Sequence, residues 1–321
     1  MKNKTKISLI IGLSLLIIGG IIFTGVMYMI NFDFSRLSTA KYEVNTYDIS
    51  EKFDDIVFNT NTSDITFALS TDDKTKIVCE EECNEKHNVT VLNNTLKIEV
   101  EKNKKWYEYI GINFKTPKIT VYLSGSEFGN LTIKEDTGDI KIPADFHFSD
   151  IDIYLSTGDV ENYASASGDI KIRTTTGYIK AENITVNSVS FTASTGKIIA
   201  NNVESETDVN LKISTGKAKL SNISCKNLSS TGDTGDISLE NVVAKEKVSI
   251  IRSTGDVRMA KCDGAEIFIE TNTGDVSGTL LSEKIFITKT DTGKVEVPQT
   301  ITGGKCEITT DTGDIKITLE K

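Results

Sequence analysis

The chain has 321 residues, of which 26% are charged and only 7% aromatic, with one tryptophan, Trp106. Its formal net charge is −10, and because three lysines sit in its first six residues, the remainder carries −13. That balance argues against nucleic acid and anionic lipid as partners, and the shortage of aromatics suits a thin aliphatic core better than a thick globular one.

Residues 1–6 read as a cytoplasmic stub bearing Lys2, Lys4 and Lys6. Residues 7–30 follow, 24 positions without a charge. About 20 apolar residues cross the hydrocarbon layer of a bilayer, so this stretch is expected to be a transmembrane helix. The lysines keep the head in the cytoplasm and place the rest of the chain outside the cell. A cleaved signal peptide is the competing reading. Its apolar part is shorter, about 7–15 residues, and ends in small residues, whereas this one ends in Tyr28-Met29-Ile30.

Residues 31–42 read as a juxtamembrane linker, and 43–130 as an irregular β section. Thr62-Ser63-Asp64-Ile65 has the look of a degraded repeat unit with Ser63 in a glycine slot. Between 72 and 116 the pattern breaks. Cys79 and Cys83 flank three glutamates there, which suggests half a metal site or a small disulfide loop. No second pair stands at ligand spacing, and the only histidines are His87 and His147, so a zinc site is poorly supported. The cluster Trp106, Tyr107 and Tyr109 is the one candidate for a ligand-contact patch.

From 131 to 321 the chain is periodic. Gly138, Gly158, Gly177, Gly196, Gly216, Gly235, Gly255, Gly274, Gly293 and Gly313 recur at 19 or 20 residues, each preceded by threonine. Two positions after the glycine stands Ile or Val in nearly every unit, as at Ile140, Val160, Ile179 and Val257. Five and seven positions before it are further apolar residues, as at Ile133 and Leu131. Spacing by two with β-branched side chains is strand periodicity, and a fixed period of this length marks a solenoid. The fold expected is all-β: a flattened β-solenoid with two short strands per coil, behind one N-terminal transmembrane helix. The glycines supply the positive φ of one turn. The other turn is marked by Asn183, Asn202, Asn222, Asn241, Asp263-Gly264 and Gly303-Gly304. The stacked threonines could bond up the rod as a hydroxyl ladder, and ten coils would span about 45–50 Å. Cys225, Cys262 and Cys306 fall singly in the array as small apolar fillers. Residues 314–321 read as a final strand whose open edge is guarded only by Lys316, Glu320 and Lys321, which favours a monomeric ectodomain.

The lead-in PKITVYLSGSEFGNLTIKEDTGDI at 117–140 and the repeated STGDV and DTGDI units resemble the toast-rack family of bacterial envelope proteins, also described as adhesin-type domains. The resemblance runs over roughly residues 45–321. It implies a β-solenoid and, often, association with membrane-stress modules, and it supplies no catalytic residues.

Chemistry finds little support in the repeats. Asp-Thr-Gly occurs at 136–138, 233–235, 291–293 and 311–313, but an aspartic protease needs two such loops facing each other, not a row along one edge. Stacked aspartates, with Asp236, Asp256 and Asp275 as the candidates, could bridge Ca²⁺. The plainer reading is that each favours its own turn and that Lys197, Lys217 and Lys294 relieve the repulsion. No nucleophile motif or cofactor fingerprint is present, so no catalytic residue, cofactor or metal is assigned. The function expected is a non-enzymatic, membrane-anchored binding or scaffold rod, with a role in envelope-stress sensing. The alternatives are an adhesin for a wall or host glycan and a polysaccharide-active β-helix.

Overall fold

The computed structural model describes residues 3–33, 36, 40–101 and 115–320. It is a β-solenoid preceded by one helix, Asn3–Met29. Thr5–Met29 is apolar enough to cross a membrane, with a mean hydropathy of 2.6 in its most apolar window, none of which is buried; near its end Met27 is buried. Its polar side chains are satisfied within the helix: Ser14 donates to the Ile10 carbonyl at 2.9 Å and Thr24 to that of Gly20 at 2.7 Å. In a bilayer that removes the cost of an unpaired hydroxyl.

Successive coils stack in parallel, in register, one repeat apart. Ile133, Ile153 and Ile172 align on one side, and Ile140, Val160 and Ile179 on the next. All six are buried, so the alternation read from the sequence lines one continuous core. A third short side completes each coil. It begins after Asn183, Asn202, Asn222 and Asn241, all in the left-handed region at φ 52–56°, and presents Ile184, Val203, Ile223 and Val242 inward in register. In the coil that follows, the left-handed corner falls on Lys261 at φ 54°, not at Asp263-Gly264.

The glycine turns obey two constraints at once. All ten have φ between 126° and 154°, which costs little only for glycine. They also touch: a Cβ added to Gly235 would collide with the carbonyl of Gly216 one coil below. The residue after the glycine ties the coils together. Its carboxylate accepts the backbone N–H of its counterpart above: Asp139 from Asp159 at 2.9 Å, Asp236 from Asp256 at 3.2 Å, and Asp256 from Asp275 at 2.9 Å. The aspartates therefore serve the neighbouring coil rather than their own turn. The threonines before the glycines face solvent, and among the described residues the side-chain ladder is of asparagine instead. Asn202 donates to Asn183 at 2.7 Å, Asn222 to Asn202 at 2.9 Å, and Asn241 to Asn222 at 2.9 Å. A hydroxyl at the exposed glycine corner competes with water, whereas an amide has both a donor and an acceptor to pass on.

Both ends break the order of the chain. The last coil is not the end of the rod. Residues 304–312 lie between 257–273 and 284–292, with Ile267, Cys306 and Phe286 in one row. Residues 315–319 lie between 276–280 and 295–296. The terminal strand is thus interior, Ile315 and Ile317 are buried, and the open edge is formed by Lys284–Thr292 and Val295–Glu296. The chain skips one coil height and then drops back into the gap. Gly304 leaves room in the inserted coil, and Lys284 reaches Asp263 at 2.6 Å with its side chain buried. The other end repeats the device. Residues 55–59 lie between 95–99 and 131–137, and 64–69 between 118–123 and 140–142. Ser63 occupies the first turn, where its carbonyl meets the Gly138 corner and Asp64 accepts the Asp139 N–H at 3.0 Å. Antiparallel strands Tyr42–Ile49, Thr75–Glu82 and His87–Leu92 then close this end. Beneath them Phe58, Phe67, Phe146 and Phe148 pack with ring centroids 5.8–6.5 Å apart.

Gly235→Val therefore meets both the wrong φ and a backbone collision, and its expected cost is about 3 kcal/mol or more. Asp236→Asn keeps an oxygen for the Asp256 N–H and is expected to cost about 1 kcal/mol or less. Thermal melting of the two variants should separate them widely; equal midpoints would contradict the stacked-turn geometry. Ending the chain after Gly303 should expose the 267–273 and 284–292 faces together. Limited proteolysis should then cut within 281–303 while the coils before 250 stay protected. An intact 281–303 segment would mean the inserted coil contributes no stability.

Candidate functional site

Polar side chains gather in three places. The first is the aspartate stack at the glycine corner. Asp236, Asp256 and Asp275 stand in successive coils, and their inner oxygens are occupied by backbone N–H groups. Outward, Arg258 lies between two of them, 2.6 Å from Asp256 and 3.7 Å from Asp236, and Lys217 is 3.2 Å from Asp236. The Asp256 N–H, then Lys217 and Arg258, hold the Asp236 carboxyl below its ordinary range. The chain's own cations thus sit where a bridging ion would have to bind.

The second place is a groove of ≈ 590 Å³ along the asparagine ladder. Asn183, Asn202, Asn222 and Asn241 line it together with Glu204 and Val243. It is shallow and polar, with repeated amides on a rigid backbone and no convergent acid pair.

The third lies under the N-terminal cap. Cys79 and Glu81, two apart on Thr75–Glu82, point to the same side of the strand. A turn at 83–86 brings back His87, the first residue of the next strand. One donor atom from each of Cys79, Glu81 and His87 lies within 4.8 Å of the other two, and all three residues are buried. One Glu81 oxygen accepts His87 N at 2.7 Å and faces His87 Nδ1 at 2.6 Å. The other accepts Asn45 Nδ2 at 2.6 Å. Burial would raise the Glu81 carboxyl, but the hydrogen bonds from His87 and Asn45 outweigh it and hold the group low. Burial, then the Glu81 charge, pushes the Cys79 thiol up to about 12. On the far side of the ring Ser63 Oγ lies 3.4 Å from Nε2, while it donates to the Thr62 carbonyl at 2.7 Å. Cys83 is exposed and unbonded to Cys79. The strand from 79 to 82 alone spans about 10 Å, too far for a disulfide. The sequence names His87 beside the Cys79 pair but does not join them, because the pairing depends on the length of a hairpin; the signal present is the alternation Cys79, Glu81. Trp106, Tyr107 and Tyr109 lie outside the described residues.

The stacked glycine corners and the in-register coils run through the segment that matches the Toastrack DUF4097 family, residues 53–318. The chain belongs to that family. Three solved structures resemble this Toastrack chain. A "putative adhesin" of Bacteroides fragilis is 16% identical and matches 87% of this chain and 97% of its own, with a TM-score of 0.38. A "putative adhesin" of Parabacteroides distasonis is 9% identical over 87% and 98%, with a TM-score of 0.49. A "putative lipid binding protein" of the same species is 15% identical over 86% and 97%, with a TM-score of 0.48. No curated protein matches the chain significantly.

Arg252 and Glu135 are further charged residues buried in the Toastrack core. Arg252 is 2% exposed, donates to Ser230 at 2.7 Å and has an unpartnered Nε. It fits because its neighbour in the coil below is Gly232, whose Cβ would strike the guanidinium. Glu135 is fully buried, bonded to Thr60 through one oxygen and unpartnered at the other. Burial above all, then the charges of Asp136 and Asp64, push its carboxyl up to about 9.

The folded state therefore holds a proton on Glu135 that the unfolded chain, with its carboxyl near 4.5, has lost. By linkage this contribution to stability is greatest below the unfolded value and declines as pH rises toward the folded one. Glu135→Gln should raise the melting temperature at pH 8.5 and change it little at pH 4.5. Equal shifts at both pH values would show that Glu135 does not carry the proton.

Proposed function

We propose that this Toastrack chain is a non-enzymatic binding and scaffold module held at a bacterial membrane, with its solenoid outside the cell. The observation that carries this reading is the pairing of a largely exposed apolar helix at Thr5–Met29 with a rigid rod whose corners are rows of small polar groups. Rows of identical groups suit repeated, shallow contacts with a partner rather than the convergent acid, base and nucleophile that catalysis requires. Lys2, Lys4 and Lys6 orient the helix with its head inside. A rod fixed to a membrane by one helix is also the form suited to reporting envelope stress, the role that the family resemblance suggests.

A second reading, a surface adhesin for a wall or host glycan, is favoured by the asparagine-lined groove, where amides and Glu204 can pair with sugar hydroxyls. Co-sedimentation with purified cell-wall polysaccharide tests it: Glu204→Arg should weaken retention at unchanged melting temperature, and equal retention removes the groove from the binding surface.

Cys83 gives a direct test of placement, because it is exposed while the other four cysteines are buried. A membrane-impermeant maleimide should label intact cells carrying the wild-type chain and not those carrying Cys83→Ser. Labelling only after lysis would place the solenoid in the cytoplasm and overturn the proposal.

A further inference from the structure

We propose that Cys79, Glu81 and His87 form a zinc site that staples together two strands of the N-terminal cap, Thr75–Glu82 and His87–Leu92. Thiolate, imidazole and carboxylate are the three donor types that Zn²⁺ takes in proteins, and three protein ligands with a fourth position for water are a recurrent set. Harder ions such as Ca²⁺ and Mg²⁺ prefer all-oxygen sites, and no thiol belongs in one.

The geometry is near what the ion needs. The three donor atoms lie within 4.8 Å of one another. A tetrahedral centre with bonds of about 2.0–2.3 Å holds its ligands about 3.3–3.6 Å apart. The thiol therefore has to close by at most about 1.3 Å, and the Glu81–His87 contact of 2.6 Å has to open by less than that.

The surroundings are those of a prepared site. Asn45 holds one Glu81 oxygen at 2.6 Å, and Tyr47 donates to the His87 backbone carbonyl at 2.8 Å, so the carboxylate and the main chain that carries the ring are each held by a neighbour on the strand Tyr42–Ile49. Such outer contacts orient metal ligands and are part of working sites. Cys79 carries the argument further than its partners. The Asn45–Glu81–His87 network is complete without it, and its buried thiol adds the third donor that a zinc ion takes beside carboxylate and imidazole. When zinc binds, the Sγ–H bond breaks, its electron pair goes to the metal and the proton leaves to solvent.

The site also lies where the fold has most need of it. The cap is antiparallel, outside the repeat, and rests on a coil whose turn residue is Ser63 in place of glycine. Zinc there joins Thr75–Glu82 to His87–Leu92 directly and bears on Ser63 through the ring.

The test uses the full chain in detergent micelles, stripped with EDTA and titrated with Co²⁺. One equivalent should produce the near-ultraviolet thiolate-to-cobalt charge-transfer band, and added Zn²⁺ should abolish it. Cys83→Ser should keep the band; Cys79→Ser and His87→Gln should lose it. Zinc should raise the melting temperature of the wild type and of Cys83→Ser by several degrees, by mass action. The absence of a band in the wild type at stoichiometric Co²⁺ overturns the proposal even if the Cys79 variant fails to fold. A band that Cys83→Ser removes does the same.

Discussion

The carbonyl of one corner glycine fills the space where a side chain of the next would stand. Everything regular in this protein depends on that contact. Because Gly216 and Gly235 touch through their backbones, the coils have one vertical spacing and one register, and the rows of isoleucine and valine above and below the corner must fall in line. The aspartate that follows converts the same proximity into a hydrogen bond to the coil above. Where the chain has Lys197 or Lys217 instead, no carboxylate is available to pass upward, and the strand ladders, the glycine contact and the asparagine row carry the stack.

A fold built this way has a difficulty at its ends, where a coil has no neighbour to satisfy. The chain meets it by leaving gaps and filling them from elsewhere in the sequence. The 304–319 coil drops between two earlier ones, and the 55–69 coil lies between a capping segment and the coil begun at residue 131. Each insertion pins a terminal segment on both faces, so fraying at either end requires the loss of two interfaces rather than one. The cost is loop closure over longer stretches of chain, which grows only slowly with length. Gly304 and the buried Lys284–Asp263 pair show that the C-terminal insertion is a specific packing arrangement, since any side chain at 304 would meet the Ala265 carbonyl.

The same logic separates scaffold from chemistry. A residue type that recurs in every coil is constrained by the coil, and the aspartates and asparagines prove to be spent on their neighbours. Residues free to do something else are those the repeat does not dictate. In the described structure Cys79, Glu81 and His87 lie under the cap, where the period fails, while Glu135 and Arg252 break the residue pattern inside regular coils.

The class of fold, the inward residues of the two main sides and the apolar helix are all legible in the amino-acid sequence. Each of these is a local matter: a two-residue alternation, a glycine at a positive φ, a run without charge. The sequence also marked Ser63 as standing in a glycine slot. Only the tertiary structure decided which ladders form, because a hydroxyl row and an amide row are equally periodic and differ in which corner faces water. It decided that the strand at 315–319 is interior, since order along the chain does not fix order along the rod once a coil is skipped. And it decided that His87 meets Cys79 and Glu81, because two antiparallel strands and the turn at 83–86 bring together groups that no repeat relates.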